Sequence, residues 1–349
     1  MSEIKFESIE SEVRFHNPLR DFAEDLHRLE IRKDPLLGDV SVYNPYLKDK
    51  AKAFFGDCDP DLIRQLVEES AKTCFFCGEK VEKVTPRFTS DFLAEGRLRV
   101  GEAVLFPNLF SLGTHHPVVC LCKAHFLKLS EFDQDLMADG LTAAQKFLKI
   151  VYERDRSVAF TAVTANYLFP AGASLVHPHL QMLITPVPYS YHARLLDAGN
   201  AYYRENGSPY FIDLVQKERT GPRYVVRKGR WHWLAPFSPM GNNEFLAIHE
   251  AEADFGDLTL SDLKDLSYGI SRVLAFYETL GHLSFNYAVY SVKGDRRSLE
   301  GFRCLIKIIS RQNLYHNYRN DDYFLQKLLQ AELIITPPEE LAALLKGYF

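Results

Sequence analysis

The residues best suited to chemistry lie between Asn166 and Pro186, in the run Asn-Tyr-Leu-Phe-Pro-Ala-Gly-Ala-Ser-Leu-Val-His-Pro-His-Leu-Gln-Met-Leu-Ile-Thr-Pro. Alternate side chains of a strand share a face, so His177, His179, Gln181 and Leu183 point one way and Leu180, Met182 and Ile184 the other. The second face is apolar and belongs in a core. The first is polar, as a reactive surface would be. Upstream, Gly172 sits among Ala171, Ala173 and Ser174, a small-residue loop whose backbone N–H groups can approach phosphate oxygens. Two histidines on an ordinary edge strand are the bland alternative; the companion glutamine, the small-residue loop and the clean alternation argue against it.

A second signal is Cys74-Phe-Phe-Cys77-Gly78. Two thiolates two residues apart in a turn can fill two corners of a tetrahedral zinc site, and His115, His116, His125 and His177 are available for the others. Buried, unligated cysteines are the competing reading.

Several elements must position these groups. The first thirty residues read as an extended arm or short helix, and Glu30 to Pro45 as a turn flanked by short strands. Asp59 to Lys72 has helical spacing. Strands are expected at Leu98 to Phe106, Val118 to Leu121, Val158 to Thr164 and His179 to Pro186. Between them, a long helix starts at Ser130 as N-cap and runs to about Arg154, burying Leu136, Phe147, Leu148 and Val151. The order then recurs: strands at Trp231 to Leu234 and Phe245 to Ile248, a helix from Thr259 to Leu280, strands at Phe285 to Val292 and Phe302 to Ile309. The pattern predicts an α+β fold and suggests an internal duplication. Tyr189 to Gly229 reads as a turn-rich connection.

The chain of 349 residues is 46% hydrophobic and 25% charged, an ordinary globular mixture with room for two domains. Its net charge of -5 and the lack of a basic stripe argue against nucleic acid as a partner. No run approaches a membrane span, and Met1 to Arg14 lacks an apolar signal core, so a cytoplasmic protein is expected.

At this point the chain resembles the galactose-1-phosphate uridylyltransferase-like family of the histidine-triad superfamily. Glu30 to Gly38 resembles the family's opening motif, Cys74 to Cys77 its first zinc pair, and Val118 to His125 the segment that supplies a third ligand. Asn166 to Gln181 matches its active-site motif at the Asn, Gly, Ser, both His and Gln, and Trp233 to Phe237 resembles the start of its second domain. The resemblance implies two tandem histidine-triad-like domains, 1–188 and 189–349, each an antiparallel sheet with helices packed on it, with only the first catalytic. It assigns a structural zinc to Cys74, Cys77, His125 and His177, with His115 or His116 as competitors for the third position. It assigns the nucleophile to His179, assisted by Gln181 and Ser174, and substrate binding to Asn108, Phe110, Asn166, Gly172, Ser174 and Gln181.

The implied reaction moves a nucleoside monophosphate, UMP first among the candidates, between sugar phosphates through a nucleotidyl-histidine in a homodimer. The alternatives are a phosphorylase or adenylyltransferase acting on an ADP-sugar or dinucleoside polyphosphate, and a non-catalytic nucleotide-binding protein. The chain departs from the family in three places. Lys48 and Lys50 stand where it carries arginines, Leu109 replaces an aspartate, and Phe302-Arg303-Cys304-Leu305 replaces a His-x-His strand, so no second metal is expected there.

Overall fold

A computed structural model describes residues 4–50, 55–293, 300–316 and 320–349; the side chains of Asp49 and Lys50 lie outside the described set. The strands are β1 (Glu7–Asn17), β2 (Ala23–Lys33), β3 (Val40–Tyr43), β4 (Leu98–Val100), β5 (Ala103–Pro107), β6 (Pro117–Cys120) and β7 (Phe160–Tyr167). They continue with β8 (His179–Thr185), β9 (Tyr224–Lys228), β10 (Trp231–Leu234), β11 (Phe245–His249), β12 (Phe285–Val292), β13 (Leu305–Ser310) and β14 (Ala331–Ile334).

The N-terminal stretch is extended: β1 and β2 form a long hairpin, joined by β3 and then by β14, which runs parallel to β3. The remaining strands make one ten-stranded antiparallel sheet in the order β4-β5-β6-β8-β7-β12-β13-β11-β10-β9. The two sheets expected of two domains are therefore joined edge to edge, through β7 and β12. Counted inward from each edge, the first half runs 4-5-6-8-7 and the second 9-10-11-13-12, the same topology twice.

Each half places one long helix, Gln134–Arg154 or Leu260–Thr279, between its third and fourth strands in chain order. Both helices lie on one face of the sheet and pack against each other. Phe147, Leu148 and Val151 from the first, and Leu263, Leu266, Ile270, Val273 and Leu274 from the second, are fully buried there with Leu180, Met182, Ile184, Ile306 and Ile308. Each such side chain contributes on the order of 1.5–3 kcal/mol by leaving water. Leu136 is only partly buried.

Two expectations are corrected. The first long helix is capped by Asp133, whose carboxylate accepts from the Leu136 N–H at 2.8 Å. Ser130 lies in a preceding 3-10 turn, and its N–H goes to Glu278 at the end of the second long helix. The segment after Tyr189 is not a turn-rich connection: Ser190–Asn206 and Tyr210–Glu218 are helices, packed on the opposite face of the second half. No helix among the described residues is long and apolar enough to cross a membrane.

Candidate active site

Strand β8 shows the alternation expected of it. Leu180, Met182 and Ile184 are fully buried beneath the long helices, while His177, His179 and Gln181 occupy the other face. There His177 and His179 meet the loop after the Pro60–Thr73 helix, which carries the paired cysteines and the buried Phe76.

The potential ligand atoms of Cys74, Cys77, His125 and His177 all lie within 4.8 Å of one another. His177 Nδ1 is 3.7 Å from Cys74 Sγ and 3.5 Å from Cys77 Sγ, and His125 Nδ1 is 3.2 Å from Cys77 Sγ. Tetrahedral zinc, with bonds of about 2.0–2.3 Å, needs its ligand atoms about 3.3–3.8 Å apart, so the cluster has the right size. The outer nitrogens are also arranged for ligation. His177 Nε2–H donates to the Cys122 carbonyl at 2.8 Å. His125 Nε2–H donates to Ser70 Oγ at 2.8 Å, whose own hydrogen goes to the Leu66 carbonyl. Both bonds turn an Nδ1 lone pair toward the thiols. Burial and the neighbouring Cys74 push the Cys77 thiol up to about 11, so a bound cation is what would let that sulfur act as a thiolate.

The competing histidines are engaged elsewhere. His115 Nε2 meets the Asp155 carboxylate at 2.9 Å, while His116 contacts Gln181.

His179 is held in one orientation and one tautomer. A carbonyl can only accept, so the 2.8 Å contact to the His177 carbonyl places a hydrogen on His179 Nδ1 and leaves the Nε2 lone pair available. Burial lowers its pKa, which favours the neutral ring. Phe76 packs edge-on against it, ring centroids 5.7 Å apart.

Gln181 is fixed from behind. Its Oε1 accepts from His116 Nε2 at 2.8 Å and more weakly from Asn108 Nδ2 at 3.4 Å. His116 Nδ1 accepts the Leu112 N–H, which sets the tautomer that donates to Gln181. Asn108 Oδ1 also accepts the Phe110 N–H, closing a turn that leaves the Phe110 ring 78% exposed. The structure thus joins His179, Gln181 and Asn108 on one surface, with Asn166 beside them on β7.

Gly172 and Ser174 are exposed on the loop between β7 and β8, and Gly172 is left-handed at φ 82°. The N–H groups of Gly172 and Ala173 donate to the Phe169 and Leu168 carbonyls within the loop, so these two are engaged there. Leu168, with φ 65° and ψ 167°, occupies a region nearly reserved for glycine. Such a residue stores a local strain on the order of 1–3 kcal/mol.

Sequence reasoning missed Phe76, the role of His116, and Asn286, which bonds Asn166 from the second half. Asn286 carries one weak signal, an amide amid the apolar and aromatic residues of β12.

No family model matches the chain. It is 30% identical over 315 residues to an uncharacterised protein of Archaeoglobus fulgidus, covering 90% of each. It is 27% identical over 208 residues to an ADP-glucose phosphorylase of Arabidopsis thaliana, a match spanning 54% of this chain and 57% of that protein. Among solved structures, an Arabidopsis ADP-glucose phosphorylase with bound ADP-glucose superposes with a TM-score of 0.70 at 19% identity, covering 91% of this chain and 98% of the other. A uridylyltransferase mutant superposes with a TM-score of 0.65 at 19% identity, covering 91% and 97%. At that identity the superpositions speak for the fold. This chain and the archaeal protein, matched over nearly their whole length, belong to one family, and the fold of this chain is the one that ADP-glucose phosphorylase and uridylyltransferase share.

Proposed function

We propose that the chain transfers a nucleoside monophosphate between phosphate-bearing sugars through a covalent intermediate on His179. The observation that carries this reading is the single available Nε2 lone pair of a buried, neutral His179, oriented through Nδ1 by the His177 carbonyl. Nε2 attacks the α-phosphorus of a nucleotide sugar. The bond from that phosphorus to the leaving oxygen breaks, and its electron pair departs with the sugar phosphate. The Nδ1–H bond to the His177 carbonyl stabilises the positive ring that results. A phosphate oxygen of the acceptor then attacks, the P–N bond breaks, and its pair returns to Nε2; no net proton is required.

The Gln181 amide nitrogen, the Ser174 hydroxyl and the Asn166 amide are suited to donate to the phosphoryl oxygens, where preorganised donors stabilise developing charge. Asn108 and Phe110 border the region in which the nucleoside would lie. Cys74, Cys77, His125 and His177 would hold zinc; with four protein ligands such an ion would be structural, and ligation would fix His177 and thereby the carbonyl that orients His179. We read 1–188 as the catalytic unit and 189–349 as its non-catalytic counterpart.

A second reading, phosphorolysis of an ADP-sugar with inorganic phosphate as acceptor, is favoured by the ADP-glucose phosphorylase among both the sequence and structural relatives. One experiment tests both. The purified protein is incubated separately with UDP-glucose, UDP-galactose, ADP-glucose and ATP and its intact mass measured. The expected result is a gain of one UMP or AMP, mapped by peptide sequencing to His179 and lost in His179→Ala. No adduct with any donor overturns covalent transfer, and an adduct on another residue overturns the assignment of the nucleophile and its unit.

A further inference from the structure

Asn166 is not oriented by its own half of the molecule. Across the junction of the sheet, β12 pairs with β7 so that Asn286 lies directly opposite Asn166. Asn286 Nδ2 donates to Asn166 Oδ1 at 2.6 Å and to the Ala171 carbonyl at 2.9 Å. Asn286 Oδ1 in turn accepts from Arg311 Nη1 at 2.6 Å. Arg311 is itself clamped by Asp321, which accepts from Nε at 2.7 Å and from Nη2 at 2.6 Å.

The polarity of this chain of bonds is fixed from its far end. An ionised carboxylate only accepts and a guanidinium only donates, so the atom of Asn286 facing Arg311 must be its oxygen. Its amino group then faces Asn166 and Ala171, and the atom of Asn166 it meets must again be an oxygen. What Asn166 has left to offer is its own amino group. An amide is nearly symmetric in shape, and nothing but hydrogen bonding decides which end points forward. Here that decision is taken by three residues of the second half.

We propose that Asn286, oriented by Arg311 and Asp321, is a positioning residue: it makes Asn166 present a donor rather than an acceptor to the substrate phosphate, and through Ala171 it anchors the loop that carries Gly172 and Ser174. This gives the half without a nucleophile a direct part in the site. The inference rests on the nucleotidyl-transfer reading for the identity of the phosphate.

The test is Asn286→Asp. The variant keeps the size of the side chain and the acceptor for Arg311 but has no amino group. Asn166 can then satisfy the new carboxylate only with its own amino group, which turns its oxygen toward the phosphate. Affinity for UMP and AMP is measured by calorimetry, and the rate of adduct formation by intact mass. The better-bound monophosphate is expected to weaken by about tenfold or more and the adduct rate to fall by roughly 10- to 100-fold, as for removal of one preorganised donor. Zinc content and melting temperature should stay near those of the parent.

In an Asn166→Ala background the same substitution should cost clearly less than in the parent, the remainder being what passes through the Ala171 carbonyl. Unchanged monophosphate affinity in Asn286→Asp overturns the inference, as does an effect that adds in full to Asn166→Ala. If the parent binds a monophosphate but forms no adduct, the transfer reading fails while the affinity comparison still decides this one. If the parent binds neither, Asn166 has no phosphate to present and the inference falls.

Discussion

Gln181 shows how one side chain is prepared by another. Its oxygen is occupied by His116 Nε2–H, and the ring is held in that tautomer by the Leu112 N–H on Nδ1. Burial lowers the pKa of His116 and the bond to Gln181 acts in the opposite sense; the net shift is downward, so the ring is neutral and keeps its acceptor for Leu112. Removing the ring frees the Gln181 amide to turn. His116→Ala is expected to slow adduct formation by roughly 10- to 100-fold, the range for a misplaced donor in a preorganised site. Zinc content should remain at the parent's value, in contrast to Cys74→Ala, which removes a member of the cysteine–histidine cluster and is expected to lower it. Parallel metal analysis and adduct kinetics check both statements. Loss of zinc from His116→Ala would mean that this histidine serves the metal cluster rather than Gln181.

At the scale of elements, each long helix brings a glycine over the sheet. A β-carbon on Gly140 would meet Leu121 Cδ2 at 2.3 Å, the movable end of a side chain; one on Gly269 would meet the Trp233 ring at 2.1 Å. In an exposed helix, alanine would be favoured over glycine by roughly 0.5–1 kcal/mol. At Gly269 the fully buried, rigid indole reverses the sign. Gly269→Ala is expected to lose about 1–3 kcal/mol by overpacking. Thermal or urea denaturation measures it, and a gain in stability would show that the helix stands farther from the sheet than described. Such contacts are invisible in sequence, though the helices themselves were legible, because long apolar periodicity and a cap at Thr259 announce them. The helix at Ser190–Asn206 was not legible. Its buried positions His192, Leu195, Leu196 and Gly199 have helical spacing, but a histidine and a glycine hide the apolar stripe. The left-handed Gly207 that ends it was the available signal. In the site, the histidines, cysteines and Gln181 were readable because their chemistry is carried by residue type and local spacing. The Asn286 bridge was not, because it depends on the register between strands more than a hundred residues apart.

At the scale of the whole molecule, the ten-stranded sheet repeats one topology in two halves whose corresponding faces are covered differently. Thr164 pairs with Ala288 across the junction; Thr164 also pairs with Gln181, and Ala288 with Lys307. A two-fold axis through the junction pair therefore carries Gln181 onto Lys307. In the first half that face bears the candidate site. In the second it is covered by the Ser190–Asn206 and Tyr210–Glu218 helices, and Lys307 Nζ sits 2.7 Å from Glu244 Oε1 beneath them. Burial opposes the charge on Lys307, but Glu244, Tyr191 and Asp34 outweigh it and hold its pKa well above the ordinary value. The place that bears the candidate site in one half is thus filled by a buried ion pair in the other. Such a pair is costly to break and cheap to replace whole, since removing one partner strands the other charge. Lys307→Met is expected to lose about 3–5 kcal/mol, because it leaves the Glu244 carboxylate uncompensated. Adding Glu244→Gln removes the stranded charge while keeping an oxygen for the Met240 N–H that Glu244 accepts, and should recover most of the loss. Adduct formation per folded molecule should be the same in all three proteins, because neither residue touches the candidate site. Equal stability of Lys307→Met and the parent would mean that the pair is solvated. A loss of adduct formation in the well-folded double variant would mean that the second half acts on the site through Lys307 as well as through Asn286.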